Sequence, residues 1–372
     1  MRKGIATLPL HWGRAPRWLF EDMKKLSLAL MEAMLIEYPP VKILENLSDP
    51  YYFQSLGCIL GFDWHSSGVT TTTMGALKEA FKKLDAGIYI CGGKGKTSLK
   101  TPDEIKKIGF EKGMEVDSLI YTSKMTAKVD NSALQDGYSI YHHTIIFTSK
   151  GEWSVVQQGM NETNRMARRY HWFSDTLKDY TCEPHKGIIT DGFTTPLNMV
   201  SEDSTGSRKI STEIASEYPE KTLGELKKIR ELKMPSRHYI IGYDVNLKKL
   251  RKPLELAYSR QPEDFESLLG IKGVGPATIR SLALIGELLY GEKPSFTDPA
   301  RYSFAHGGKD GIPYPIDREN YTRSIRYLKK AVSMARVGET EKLRLLKRLA
   351  FIDNNDININ NPKRKGGKNV KV

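Results

Sequence analysis

At 372 residues the chain is long enough for two or three domains and a substantial hydrophobic core, and its 39% apolar and 27% charged residues exclude a generally disordered state. No apolar run reaches the roughly 18 residues a membrane span needs, and three widely spaced cysteines, Cys58, Cys91 and Cys182, offer neither a disulfide framework nor a thiolate zinc site. With 57 basic against 44 acidic residues the net charge is +13, a field that suits a polyanionic partner, nucleic acid first, with a merely lysine-rich solvated surface as the alternative.

In chain order, the positive start at Met1–Lys3 is followed by an apolar stretch too short for a signal peptide and broken by Pro9, so the expected compartment is the cytoplasm. Arg17 to Tyr38 carries a helical stripe opened by Pro16 and closed by Pro39-Pro40. Shorter helices are expected over Val41–Leu47, Tyr51–Leu60 and Met74–Leu84, then a buried strand over Ala86–Cys91. Ser139–Phe147 and Trp153–Gln157 read as a β-hairpin; if Phe147 opposes Trp153, His143 opposes Gln157 and His142 opposes Gln158. Alternation puts Tyr141, His143, Ile145 and Phe147 on one face and His142, Thr144 and Ile146 on the other. A helix is expected from Asn161, with Arg165, Arg168 and Arg169 as a cationic stripe for phosphates. Thr181–Gly206 reads as loop and Thr222–Leu349 as helices around a Gly/Pro-rich insertion at Pro294–Pro315; basic residues concentrate between Lys227 and Lys252. The fold class is therefore α+β: a mixed α/β part with a β-hairpin over residues 1–210, an all-helical part over 211–353, and a basic disordered tail over 354–372.

The strongest signal lies within residues 262–291, where Phe265–Leu284 contains Leu268-Leu269-Gly270-Ile271-Lys272-Gly273-Val274-Gly275-Pro276. It resembles a helix-hairpin-helix. In that element a glycine turn brings backbone amides at a helix start close to a phosphate, and the dipole of the helix stands behind them. Lys272, Gly273, Val274, Gly275, Thr278 and Arg280 are the expected sequence-blind DNA contacts, with Leu268, Leu269, Val274, Ala277 and Leu282 holding the helices together. The bland alternative is an ordinary helical hairpin. Gly291–Asp298 also resembles the segment that follows such hairpins in base-excision glycosylases, which would make Asp298 a catalytic carboxylate. Ala277, where bifunctional members carry lysine, departs from that pattern, and Asp298 is equally suited to a turn before Pro299.

From residue 1 to about 350 the chain is similar to one family of archaeal and bacterial proteins, the domain of unknown function numbered seven hundred and sixty-three. The resemblance rests on Gly57–Gly68, Gly92–Ser98, Ala127–Asn131, Gln135–Tyr138, Tyr141–His143, Val155–Asn161 and Arg168–Trp172. It implies no chemistry, which has to come from the residues themselves.

Gly92–Ser98 is not a Walker A loop, because Ile90 stands where its first glycine belongs and Thr101-Pro102 is expected to interrupt the following helix; Lys94 and Lys96 are kept as phosphate contacts on a Gly/Lys loop, with a solvated loop as the alternative. Asp130, Asp136 and His143 form a candidate Mg²⁺ or Mn²⁺ site, with Lys128, His142 and Gln158 beside it as further catalytic candidates and Asp63 and His65 as an adjoining patch; a structural polar network is the alternative for each of them. The expected function is a lesion- or structure-directed DNA-repair endonuclease acting on duplex DNA with damage or irregular structure. The alternatives are a glycosylase using Asp298 and a non-catalytic DNA-binding adaptor.

Overall fold

The computed structural model describes Leu8 and residues 15–62, 66–190, 192–229, 246–300, 302–303 and 318–358. It opens with α1 (Arg17–Glu37), α2 (Pro40–Ser48), α3 (Pro50–Ile59) and α4 (Gly68–Phe81). Prolines head α2 and α3, where a missing N–H breaks no helical bond, and Asp49 caps α3 by accepting from Tyr52 N–H at 2.8 Å. The chain continues through β1 (Ile88–Lys94), α5 (Thr101–Lys112), α6 (Asp117–Lys128), β2 (Leu134–Gln135), β3 (Ser139–Thr148), β4 (Trp153–Asn161), β5 (Met166–Phe173), β6 (Gly187–Thr190) and β7 (Leu197–Asn198). It then enters α7 (Thr205–Ala215), α8 (Pro219–Ile229), α9 (Leu247–Arg260), α10 (Phe265–Gly270) and α11 (Pro276–Tyr290), and ends with β8 (Tyr302–Ser303), α12 (Arg318–Met334) and α13 (Glu339–Asn358).

The class is α+β. Among the described residues the main sheet runs in the order β1-β3-β4-β5-β6-β8, antiparallel except where β6 meets β8. The hairpin register follows the expected pairing, with Phe147 opposite Trp153, His143 opposite Gln157 and His142 opposite Gln158. The sheet lies between two cores. One joins Ile88, Ile90, Ile146, Val156 and Phe173 to α1–α4, α12 and α13; the other joins Cys91, Ile145, Phe147, Val155, Tyr170 and Trp172 to α6 and α7–α11. Both cores draw on residues from either side of residue 210.

Several expectations are corrected. The segment after Asn161 is a tight turn followed by β5, not a helix. The Asn161 side chain accepts from the Thr163 and Asn164 amides, Arg165 takes a left-handed φ of 58°, and β5 pairs with β4 and is buried on both faces, so the arginine spacing carries no exposed helical stripe. Thr101-Pro102 starts α5 instead of interrupting it, because proline is tolerated in a first turn. The stretch read as loop from Thr181 to Gly206 holds β6 and β7. Tyr141 is the extra residue of a bulge between Ile140 and His142, so its hydroxyl reaches Gln158 on the face of His142, not that of His143. Helix α13 runs on to Asn358, so the tail does not begin at residue 354; residues 359–372 lie outside the described residues, as do Asp63, His65 and residues 304–317.

Candidate functional site

The turn between α10 and α11 is held from behind. Asp264 and Ser267 form a capping box at the start of α10, and Gly273 turns the chain with φ +93°. Lys128, at the end of α6, donates its ammonium to the carbonyls of Val274 and, at 3.5 Å, Ile271; Gln135 Nε2 donates to Pro276 O at 2.9 Å. Burial lowers the Lys128 pKa. With carbonyls drawn inward, the start of α11 is left open: Gly275 is its N-cap and no side chain caps it, so the first amides have no intrahelical acceptor. Lys272 and Gly273 are exposed there, and Pro253 of α9 lies 3.5 Å from where a Cβ on Gly273 would stand. Lys249, one helical turn before Pro253, is exposed, as are Lys248 and Lys252. Other expected contacts face elsewhere. Val274 and Thr278 are buried, Arg280 donates to Gln135 Oε1 at 2.8 Å, and Ala277 is exposed and not wedged between the helices. Of the basic stretch from Lys227 to Lys252, residues 230–245 lie outside the described residues; Lys228 pairs with Glu225 and Arg251 with Glu220.

On the α6 side of the sheet a buried polar chain runs across three strands. Asp130, fully buried, accepts from Gln157 Nε2 at 2.6 Å and Trp172 Nε1 at 2.9 Å, and meets His185 Nε2 at 2.5 Å. Because the Gln157 amide nitrogen is committed to Asp130, its oxygen faces His143 Nδ1 at 3.0 Å, so that nitrogen carries the proton. His143 Nε2 is then an acceptor, and Ser123 Oγ donates to it at 2.8 Å. Burial holds the His143 pKa below its ordinary value. His185, edge-on to Trp172 at 4.7 Å, lines a cavity about large enough for one water together with Glu183, a non-glycine residue at φ +46°.

Asp136 belongs to a different cluster. Its buried carboxylate accepts from Arg168 at 2.9 Å, Tyr170 at 2.7 Å and the Tyr138 amide at 3.1 Å. Arg168 is clamped from the other side by both oxygens of Asp298, at 3.3 and 2.8 Å, and also donates to Thr190 and Gly192. Burial pulls the guanidinium toward neutrality, but the two carboxylates more than reverse it, so Arg168 stays charged; burial pushes the Asp136 carboxyl up against the opposing pull of Arg168. Asp298 is further occupied by the Thr194 and Ala300 amides. This corrects two expectations: Arg168 is an internal counter-ion, not a phosphate contact, and Asp298 is engaged by it, not presented to a sugar.

On the opposite face His142, Gln158 and Arg169 form one row across β3, β4 and β5. Gln158 is fully used, accepting from Thr70 and donating to Tyr141 and to Ser67 O at 3.0 Å. Arg169, buried, donates to Gln54 at 2.8 Å, His171 at 2.9 Å and Thr70 at 3.1 Å over the Phe53 ring, with no carboxylate among the described residues; burial lowers its pKa to about 9. Burial likewise brings His142 down to about 3. Arg169 is thus not a phosphate contact, and of the three arginines only Arg165, at the hairpin tip, is exposed. Lys94 and Lys96 are exposed, Lys94 over Tyr141.

The candidate metal set is not gathered. Asp130 and Asp136 are committed to separate partners, His142 and Gln158 lie across the sheet from His143, and among the described residues no three His, Cys, Asp or Glu side chains converge on one point. The Mg²⁺ or Mn²⁺ expectation therefore does not fit these residues. Sequence reading missed Ser123 and His185. Ser123 sits mid-helix without a motif around it, and His185 lies in a stretch read as loop.

No curated protein and no solved structure matched the chain. Residues 4–316 match the family model described as a protein of unknown function (DUF763), and the chain belongs to that family.

Proposed function

We propose that this protein binds the sugar–phosphate backbone of duplex DNA through the α10–α11 turn, gripping it without reading bases. The observation that carries the reading is the uncapped start of α11. A 15-residue helix starts without a side-chain cap behind an exposed glycine turn, the Ile271 and Val274 carbonyls of that turn are drawn onto Lys128, Lys272 stands exposed in it, and Lys248, Lys249 and Lys252 are exposed on α9, whose Pro253 lies beside Gly273, on a chain of charge +13.

Fluorescence anisotropy with labelled duplexes of unrelated sequence, titrated with salt, tests it. Binding should weaken linearly in log–log form as salt rises, Gly273→Val should weaken it for every sequence by about tenfold or more, and Lys272→Ala should lower the salt slope by about 1. Absence of salt-sensitive binding to any duplex in dilute buffer would overturn the proposal.

Strand cleavage is a second reading, favoured by the His185–Asp130 pair, in which a buried carboxylate orients an imidazole that borders a cavity. In it His185 accepts the proton of an attacking water, and no metal step is drawn from Asp130, Asp136 or His143. Labelled duplexes carrying damaged bases, flaps or mismatches, incubated with and without EDTA, should show breaks that persist in EDTA and vanish in His185→Ala. Uncut substrate throughout leaves DNA binding alone as the function.

A further inference from the structure

Two large rings are left in water where α8 and α9 meet. Tyr218, just before α8, is 60% exposed, and Tyr258, on α9, is 44% exposed. They touch edge to face, with ring centroids 5.9 Å apart and planes at 79°, a contact that covers one face of one ring and no more. Helix α9 packs inward through Leu250, Leu254 and Ala257, and it reaches the α10–α11 turn through Pro253, beside Gly273. Pro253 and Tyr258 stand about 140° apart round the helix, so they flank its buried face on opposite sides.

The outer face between those flanks is cationic. Exposed positions of α9 carry Lys248, Lys249, Arg251, Lys252 and Arg260 against Glu255 alone. Arg251 is taken up by Glu220 at 2.8 Å and lies 3.7 Å from Glu255, which leaves Lys248, Lys249, Lys252 and Arg260 without an ion pair among the described residues. From the turn over Lys252 and Lys248 to Tyr258 the helix surface makes an arc of about 20 Å, the length of about six nucleotides at ~3.4 Å each. Phosphates suit the lysines on that arc. The tyrosines suit only bases that have left a duplex, because paired bases are already stacked on one another and show no face to a ring.

We propose that the protein selects duplex DNA carrying a single-stranded extension, with the duplex held at the α10–α11 turn and the extension drawn across α9 so that its bases stack on Tyr258 and Tyr218. This rests on the duplex-binding reading and names the substrate class of that same site.

The test compares, by anisotropy on the full chain, a labelled blunt duplex with the same duplex extended by about ten thymidines, enough to span the arc. The extended form should bind about tenfold more tightly, since each base stacked on an aromatic ring contributes a factor of about that order. Tyr218→Ala with Tyr258→Ala, both on the surface, should remove that advantage and leave the blunt duplex unchanged. Tyr218→Phe with Tyr258→Phe should keep it, because stacking needs the ring and not the hydroxyl. A 2-aminopurine among the thymidines should lose emission on binding to the parent and keep it with the alanine variant. Equal affinity for blunt and extended duplexes, unchanged 2-aminopurine emission, or an alanine variant that keeps the advantage or weakens both forms alike would each overturn the proposal while duplex binding stands. No binding of either form would overturn duplex binding and this inference with it. A sedimenting dimer that the alanine variant abolishes, with the advantage of the extension intact, would assign the tyrosines to a second copy of the chain and overturn the proposal too.

Discussion

Replacing Arg168 by methionine separates the structural account from the one its sequence suggests. The guanidinium holds two carboxylates whose side chains are 0% and 4% exposed, Asp136 and Asp298, and it donates also to Thr190 and Gly192 O. Removing one partner of a buried ion pair costs about 3–5 kcal/mol, because the remaining charge stays out of water. The two pairs share one cation, so their costs do not add in full; the lost bonds to Thr190 and Gly192 contribute about 1 kcal/mol each. The expected loss is therefore about 5–7 kcal/mol, a large share of the roughly 5–15 kcal/mol that holds a typical protein folded. Urea unfolding at pH 7, followed by tryptophan fluorescence and far-ultraviolet circular dichroism, measures it. Should the variant not fold, Arg168→Met combined with Asp136→Asn and Asp298→Asn removes both stranded charges and should recover a folded chain. Arg169→Met is the internal control: with no carboxylate left behind, its cost should fall well below that of Arg168→Met. A phosphate-contacting Arg168 would behave in the opposite way, losing DNA affinity with stability intact. A loss under about 1 kcal/mol accompanied by weakened DNA binding would refute the clamp.

Stability should decline in acid. Burial first, then the neighbouring His143, Lys94 and Lys78, holds His142 down to about 3, so between its unfolded value near 6.5 and that point the unfolded chain binds the proton and the folded one does not. Stability is full above about 6.5 and falls by ~1.4 kcal/mol per pH unit on the way down for this residue, with His143 and His171, also lowered by burial, adding to the slope. Melting temperatures from pH 7 to 4 should drop less steeply in His142→Asn than in the parent; an unchanged slope refutes the assignment. Gly92→Ala should destabilise by more than ~2 kcal/mol in the same urea assay, since at φ +96° its Cβ would stand 2.2 Å from His143 O; a neutral result would mean that β1 can shift. Lys128→Met should leave the secondary structure intact by circular dichroism yet weaken duplex binding, because the Ile271 and Val274 carbonyls lose the cation that turns them inward. Undiminished affinity would show that the turn holds its shape unaided.

Local pattern carried the reading furthest where one physical rule acts alone. The apolar stripe of α1 and the β3–β4 register follow from period and turn chemistry, and the register placed His143 opposite Gln157 and His142 opposite Gln158. It failed where two rules competed. Arg165, Arg168 and Arg169 satisfy helical spacing, but the Asn161 turn and the aromatic alternation Tyr170, Trp172 make the segment a strand.

The sequence by itself determined composition, charge, most helices, the central hairpin and the glycine turn at Gly273, because each depends on neighbours in the chain. Tertiary structure alone decided what the polar side chains are for. Asp136 meets Asp298 only through Arg168, and Asp130 reaches His185 only because β5 and β6 pair. A buried charge must find its partner wherever the packing brings one, and that distance in space is not written in distance along the chain.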